Sequence, residues 1–132
     1  RRVQRGRWTV LRTWHIYSVD PGDNFFMFVA RRLFAGEPVV GYTDQISTPT
    51  DADDLAEATA RVVREGITGI VHLAGSEKCS RYEFACEVAR AFGRSGVQPA
   101  LMPGSLRPRR AGLVSTLPPW RQGIARQRAL YT

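Results

Sequence analysis

Apolar residues recur along the chain in short β-type runs separated by helical stretches with turn residues between them. Residues 8–18, WTVLRTWHIYS, are rich in β-branched and aromatic types, and Trp8, Val10 and Leu11 predict a strand buried on at least one face. Asp20-Pro21-Gly22-Asp23 breaks it. Asp23 or Asn24 is placed to cap a helix that runs to about Ala35 and carries Phe25, Phe26, Phe28, Val29 and Leu33. Gly36 ends that helix, and Pro38-Val39-Val40 opens a short extended segment. Thr50-Asp51-Ala52-Asp53 resembles a capping box with Asp in place of Glu, and predicts a helix to about Glu65 with a core face of Leu55, Ala58, Val62 and Val63. Gly66 supplies a left-handed C-terminal cap.

The second half follows the same rhythm. Ile67 to Gly75, centred on Ile70-Val71-His72-Leu73, predicts a buried strand with His72 as a hydrogen-bonded core residue. Ser80-Arg81-Tyr82-Glu83 is a full capping box, opening a helix to Phe92 that Gly93 ends. Residues 97–102 predict one more strand, and 103–117 read as a loop containing Pro and Arg. Pro118-Pro119-Trp120 begins a last amphipathic helix to about Leu130, with Pro119 suited to its first turn. The alternation of strands and helices predicts an α/β fold with at least partly parallel pairing. No internal repeat or low-complexity tract interrupts it.

Length and charge alter this picture in two ways. At 132 residues the chain is one ordinary domain or a fragment of a larger one, with no apolar run long enough to span a membrane. The net charge of +7 invites a nucleic-acid reading, but it is concentrated at the ends. Residues 1–12 hold five Arg and residues 107–132 six, with no acid in either, while residues 13–106 hold all 12 acids and are net −4. The acidic middle opposes phosphate binding, so a basic nucleic-acid-binding module is a remote alternative. Cys79 and Cys86 have no second pair at metal-ligand spacing, so structural zinc is not expected, and the cysteine usage fits a reducing cytoplasm.

Several chemistries are excluded by spacing. No G-x-G-x-x-G or P-loop pattern is present, so a glycine-loop phosphate cradle is absent. Lys78 is the only lysine and Ala74 stands four residues before it, so no Tyr-x-x-x-Lys pair exists for proton transfer. A nucleophile elbow is missing too. Polar groups where a strand turns into a loop remain. His15 and Tyr17 lie at or just after the first strand end, where open α/β sheets bind ligands, and Asn24 stands at a helix N-terminus. Each also has a purely structural reading, as a satisfied strand-end polar or an N-cap. Tyr82 and Phe84 read as core, and Arg107, Arg109 and Arg110 as either solvated or a phosphate clamp.

In order along nearly the whole chain, these segments resemble the C-terminal half of the dTDP-4-dehydrorhamnose reductase family, within the extended short-chain dehydrogenase/reductases. The resembling words are Val10 to Tyr17, Asn24-Phe25-Phe26, Asp44 to Thr50, Asp53 to Ala56, Gly69 to Gly75, Ser80 to Ala85, Arg107-Pro108 with Ala111-Gly112-Leu113, and Leu117 to Arg121. The resemblance implies the C-terminal portion of a Rossmann-type fold with its small substrate-binding lobe. Residues 1–18 would end the Rossmann domain, and 19–132 would form the lobe with returning Rossmann elements. It also implies reduction of the 4-keto group of a nucleotide sugar with NADPH or NADH, carried out together with an N-terminal half that holds the glycine loop and the Tyr-x-x-x-Lys pair.

By position, His15 takes the place of a family Trp near the nicotinamide and sugar and is the implied cofactor contact. Asn24, Phe25 and Arg107 are the implied substrate contacts. Ser47 stands where the family usually has Gly. With no Met at its start and no catalytic pair, the chain is expected to lie downstream of the missing half and to be inert alone. The implied partners are the nucleotide sugar and that half, with a homodimer left open. A sugar-nucleotide epimerase or dehydratase, or a non-catalytic homologue, is the alternative within the same fold.

Overall fold

The computed structural model describes residues 6–19, 22–103 and 117–131. Its elements are β1 (Thr9–Arg12), β2 (Ile16–Tyr17), α1 (Phe25–Phe34), β3 (Val39–Tyr42), β4 (Ile46–Ser47), β5 (Thr50–Asp51), α2 (Ala52–Arg64), β6 (Gly69–His72), β7 (Cys79–Ser80), α3 (Arg81–Ala91), β8 (Val97–Ala100) and α4 (Trp120–Leu130). The strands pair two by two: β1 with β6, β2 with β5 and β3 with β8 in parallel, and β4 with β7 antiparallel.

The helices start where their caps dictate. Asn24 Oδ1 accepts the Met27 N–H at 3.1 Å, and α1 then buries Phe26, Val29, Ala30 and Leu33, the spacing of one helical face. Both hydrogen bonds of the Ser80–Glu83 capping box form, and α3 buries Phe84, Ala85, Val88 and Ala89. These two faces meet Trp120 and Ile124 of α4 in the main core, joined by Tyr17, Val39 and Phe92. Aromatic rings knit it together: Tyr17 meets Phe84 edge to face at 5.0 Å and Phe84 meets Trp120 at 5.7 Å.

Helix α4 approaches so closely that a Cβ on Gly123 would stand 2.0 Å from the Tyr17 hydroxyl oxygen. Tyr17 donates from that hydroxyl to the Trp120 carbonyl at 2.7 Å. Around it, Gln127 donates to Asp51 and Asp53, and Arg126 forks onto Asp54 at 2.8 and 3.0 Å. Arg121 pairs with Glu87 at 2.8 Å, and Arg128 lies over the Phe92 ring. Of the three C-terminal arginines among the described residues, Arg121 and Arg126 are thus held against acids of the middle segment.

Several expectations are corrected. Residues 8–18 are two strands with different partners, because His15 adopts φ 54° and turns the chain between them. Strand β6 is not buried: Ile70 is 51% exposed and His72 is exposed rather than a core residue. The reason is that β1 and β6 have no second strand neighbour among the described residues. In α2 the cap is Asp51, not Thr50, and Val63 is 74% exposed while Asp54 is buried through its pairing with Arg126. Pro119 occupies the N-cap of α4 rather than its first turn. Cys79 and Cys86 are both free thiols, and no helix among the described residues is long and apolar enough to cross a membrane.

Candidate functional site

The connection between β1 and β2, residues 13–15, leaves the C-terminal end of a parallel strand and is clamped from below by the segment before α2. Thr50 donates its backbone N–H to the His15 carbonyl at 3.0 Å and its hydroxyl to the Trp14 carbonyl at 2.8 Å. The same hydroxyl oxygen accepts the Gly75 N–H at 3.2 Å. Ser47 Oγ shares a hydrogen bond of 2.9 Å with His15 Nδ1. Residues 47–51 are all buried, so the Asp44-to-Thr50 segment acts as a strap beneath the strand end.

His15 is the one non-glycine residue with positive φ among the described residues. Its ring lies 6.0 Å from Phe25 and 5.7 Å from Phe84, which are themselves 5.8 Å apart. Burial, with a smaller contribution from the Arg81 guanidinium, brings its pKa down to about 3, so the imidazole is neutral at physiological pH. Tyr17 turns the other way. It is fully buried, bonded to Trp120, and burial with nearby Asp51 pushes its phenol pKa up, so it is a core residue and not a ligand contact.

Beyond Phe25 the surface opens into two cavities that share Phe25, Phe28, Arg32 and Arg81. One, of about 360 Å³, is completed by Pro38, Val40, Tyr42 and Gln45. The other, of about 380 Å³, is completed by Asp23, Asn24 and Arg31. The shared wall is a ladder: the Arg81 guanidinium lies 4.4 Å from the Phe25 centroid, Phe25 and Phe28 stack at 6.0 Å, and Arg32 lies 5.7 Å over Phe28.

Of the residues singled out in the sequence, His15, Asn24 and Phe25 come together here. Asn24 spends both ends of its amide structurally, accepting from Met27 and donating to the Ser18 carbonyl at 3.0 Å, while still forming part of one cavity wall. Arg107 lies outside the described residues. Sequence reasoning gave no role in the site to Arg81 or Arg32, and it marked Ser47 and Thr50 only as members of the Asp44-to-Thr50 motif. The Arg81 position was legible as the first residue after the Ser80 cap; nothing local marked Arg32. Among the described residues no group of three or more His, Cys, Asp or Glu is placed to hold a metal ion.

Comparison with known proteins identifies the family and the fold. Residues 2–124 match the model of the RmlD substrate binding domain. The probable low-salt glycan biosynthesis reductase Agl14 of Haloferax volcanii is 30% identical over 114 residues, covering 79% of this chain and 38% of that protein. The dTDP-4-dehydrorhamnose reductase of Escherichia coli is 29% identical over 97 residues, covering 70% and 32%. The chain therefore spans about a third of the length of these relatives. A solved dTDP-4-dehydrorhamnose reductase from Bacillus anthracis, in complex with NADP, superposes with a TM-score of 0.87 at 22% identity, over 96% of this chain and 49% of that one. The fold is the C-terminal portion of the Rossmann-type extended short-chain dehydrogenase/reductase architecture, and the chain belongs to the RmlD substrate binding domain family.

Proposed function

We propose that this chain is the nucleotide-sugar-binding part of a dTDP-4-dehydrorhamnose reductase-like enzyme. The observation that carries the reading is the Arg81–Phe25–Phe28–Arg32 ladder between two cavities. Aromatic faces and aliphatic walls in the first cavity suit a planar base, with Gln45 offering amide hydrogen bonds at its rim. Guanidinium groups suit a diphosphate, which they can grip in forked, charge-assisted pairs. Asn24 and Phe25 take their implied substrate-binding roles in this reading, and Arg107 would add a further guanidinium.

The test is calorimetric titration of the 132-residue chain. Thymidine diphosphate is expected to bind and thymidine to bind far more weakly, with Arg81→Gln weakening the diphosphate roughly tenfold, about 1.4 kcal/mol. Equal affinity for the two ligands would overturn the reading.

Hydride and proton transfer belong to an N-terminal half. On this reading residues 1–18 end its Rossmann domain, residues 19–132 form the substrate lobe, and the outer edges of β1 and β6 are where its sheet continues. A nicotinamide cofactor would supply the hydride. The chain's own residues fit only one end of such a group, with His15 at the strand end, since no glycine loop is present to approach a pyrophosphate. The isolated chain is accordingly expected to show no NADPH consumption with a 4-keto nucleotide sugar, and measurable turnover would refute this division of labour.

A further inference from the structure

Helix α4 turns one face to the core through Trp120, Gly123, Ile124 and Gln127, the spacing of a buried helical stripe. Gln127, 1% exposed, carries a primary amide into a place that a leucine or methionine side chain would fill. A buried amide is tolerated where its hydrogen bonds are made, and Gln127 makes three. Its Nε2 donates to Asp51 Oδ2 at 3.1 Å and to Asp53 Oδ2 at 2.8 Å, and its Oε1 accepts the Val19 N–H at 2.9 Å. These partners hold the amide one way round, because reversal would set oxygen against carboxylate and N–H against N–H.

The Val19 bond is one link of a longer path. Val19 N–H and Ser18 C=O belong to a single planar peptide group, so whatever grips one positions the other. The Ser18 carbonyl accepts from Asn24 Nδ2 at 3.0 Å, and Asn24 Oδ1 accepts the Met27 N–H of α1 at 3.1 Å. Every donor along this path points toward Asp51, so the dipoles align and each bond polarises the next. The path joins the N-cap of α2 to the N-cap of α1 by way of α4. Its far end, Asn24 followed by Phe25, is a wall of the second cavity.

Resting on the nucleotide-sugar reading above, we propose that Gln127 is a positioning residue for that cavity. Without touching the ligand, it holds the 18–19 peptide group, and through it the Asn24 amide and the first turn of α1, in the binding geometry. Asp51 and Asp53 anchor the amide. Asp54 on α2, Tyr17 on β2 and Arg126 on α4 are the other ionisable groups around Asp51, and burial pushes the Asp51 carboxyl up.

Gln127→Glu gives the test a direction. A protonated carboxyl reproduces the amide, donating its O–H to Asp51 and accepting the Val19 N–H at its carbonyl oxygen. A carboxylate cannot donate and stands against Asp51 and Asp53, which raises its pKa. Gln127→Met fills the space and makes neither bond. Asn24 is the only asparagine in the chain, so nitrogen labelling of asparagine gives one side-chain amide signal for NMR. That signal and calorimetric titration with thymidine diphosphate are compared for the 132-residue chain and both variants, each relative to the unsubstituted chain at the same pH.

At about pH 8, Gln127→Glu is expected to shift the Asn24 signal and weaken thymidine diphosphate roughly tenfold; at about pH 5 both return close to the unsubstituted values. Gln127→Met should stay shifted and weakened at both. An Asn24 signal unmoved in Gln127→Glu at about pH 8, or an affinity that does not recover in acid, would overturn the positioning role. Failure of thymidine diphosphate to bind the unsubstituted chain would overturn the nucleotide-sugar reading, and the Asn24 signal would still decide whether Gln127 holds the wall.

Discussion

Gly75 packs its backbone directly against the strap behind the site. A Cβ there would stand 2.0 Å from the Pro49 carbonyl oxygen, a backbone atom that no side-chain rotation can move. Its N–H also holds the Thr50 hydroxyl oxygen, which in turn donates to Trp14. Gly75→Ala is therefore expected to displace the strap and destabilise the fold by about 1–3 kcal/mol in chemical denaturation, with a matching loss of ligand affinity. At this scale the sequence was informative wherever the interaction was local. The Ser80–Glu83 box and the Asn24 cap could be read directly, because each bonds within three residues of itself. Ser47 and Thr50 could not. Their hydroxyls face His15 and Trp14, more than thirty residues away, and only the fold brings them together.

Helices α3 and α4 show what one buried carboxylate does between elements. Glu87 on α3 accepts from Arg90 on its own helix and from Arg121 on α4. The Arg90 hydrogen bond, followed by charge attraction to Arg90 and Arg121, outweighs partial burial and holds the Glu87 carboxyl below the ordinary glutamate value of 4.5. A carboxyl depressed on folding contributes stability that is present above its unfolded value and lost as the pH falls through the folded one. Glu87→Gln should thus cost about 1 kcal/mol at neutral pH, since both arginines are solvent-exposed, and progressively less below pH 4.5. Urea midpoints of the two proteins across that range would show it, and a gap that persists in acid would contradict it.

Element boundaries were largely legible: α1, α3 and α4 begin and end within a residue or two of their sequence signals. The face that α2 buries was not fully legible: Val63 is exposed, and an Asp54 that pairs with Arg126 reads as a surface residue until α4 is in place.

For the molecule as a whole, the outstanding surface is the β1–β6 pair. Parallel strands are usually covered on both faces. Here Trp8, Ile67 and Ile70 stay 39–51% exposed, and each strand keeps one unpaired edge among the described residues. If an N-terminal half continues this sheet, Ile70→Asp should leave the melting temperature of the isolated chain within a degree or two while abolishing its co-purification with that half. Retained association would argue against docking at this face. The α/β class and its parallel character were readable from the alternation of elements. The open sheet was not, because a run such as Ile70-Val71-His72-Leu73 looks the same whether its cover is near or far in sequence.

The strand pairing also sets the order in which this chain can fold. Thr9 pairs with Gly69, Ile16 with Thr50, Val39 with Val97 and Ile46 with Ser80, so among the described residues no strand partners the one next to it in sequence. The pairings interlock as well, since the span from Thr9 to Gly69 overlaps the span from Val39 to Val97 without enclosing it. Among the described residues there is no hairpin to nucleate on, and large loops must close before any strand contact repays them. Refolding from denaturant should accordingly take roughly milliseconds to seconds rather than microseconds. A chain growing from the ribosome would have to hold Val39–Tyr42 unpaired until Val97–Ala100 had emerged.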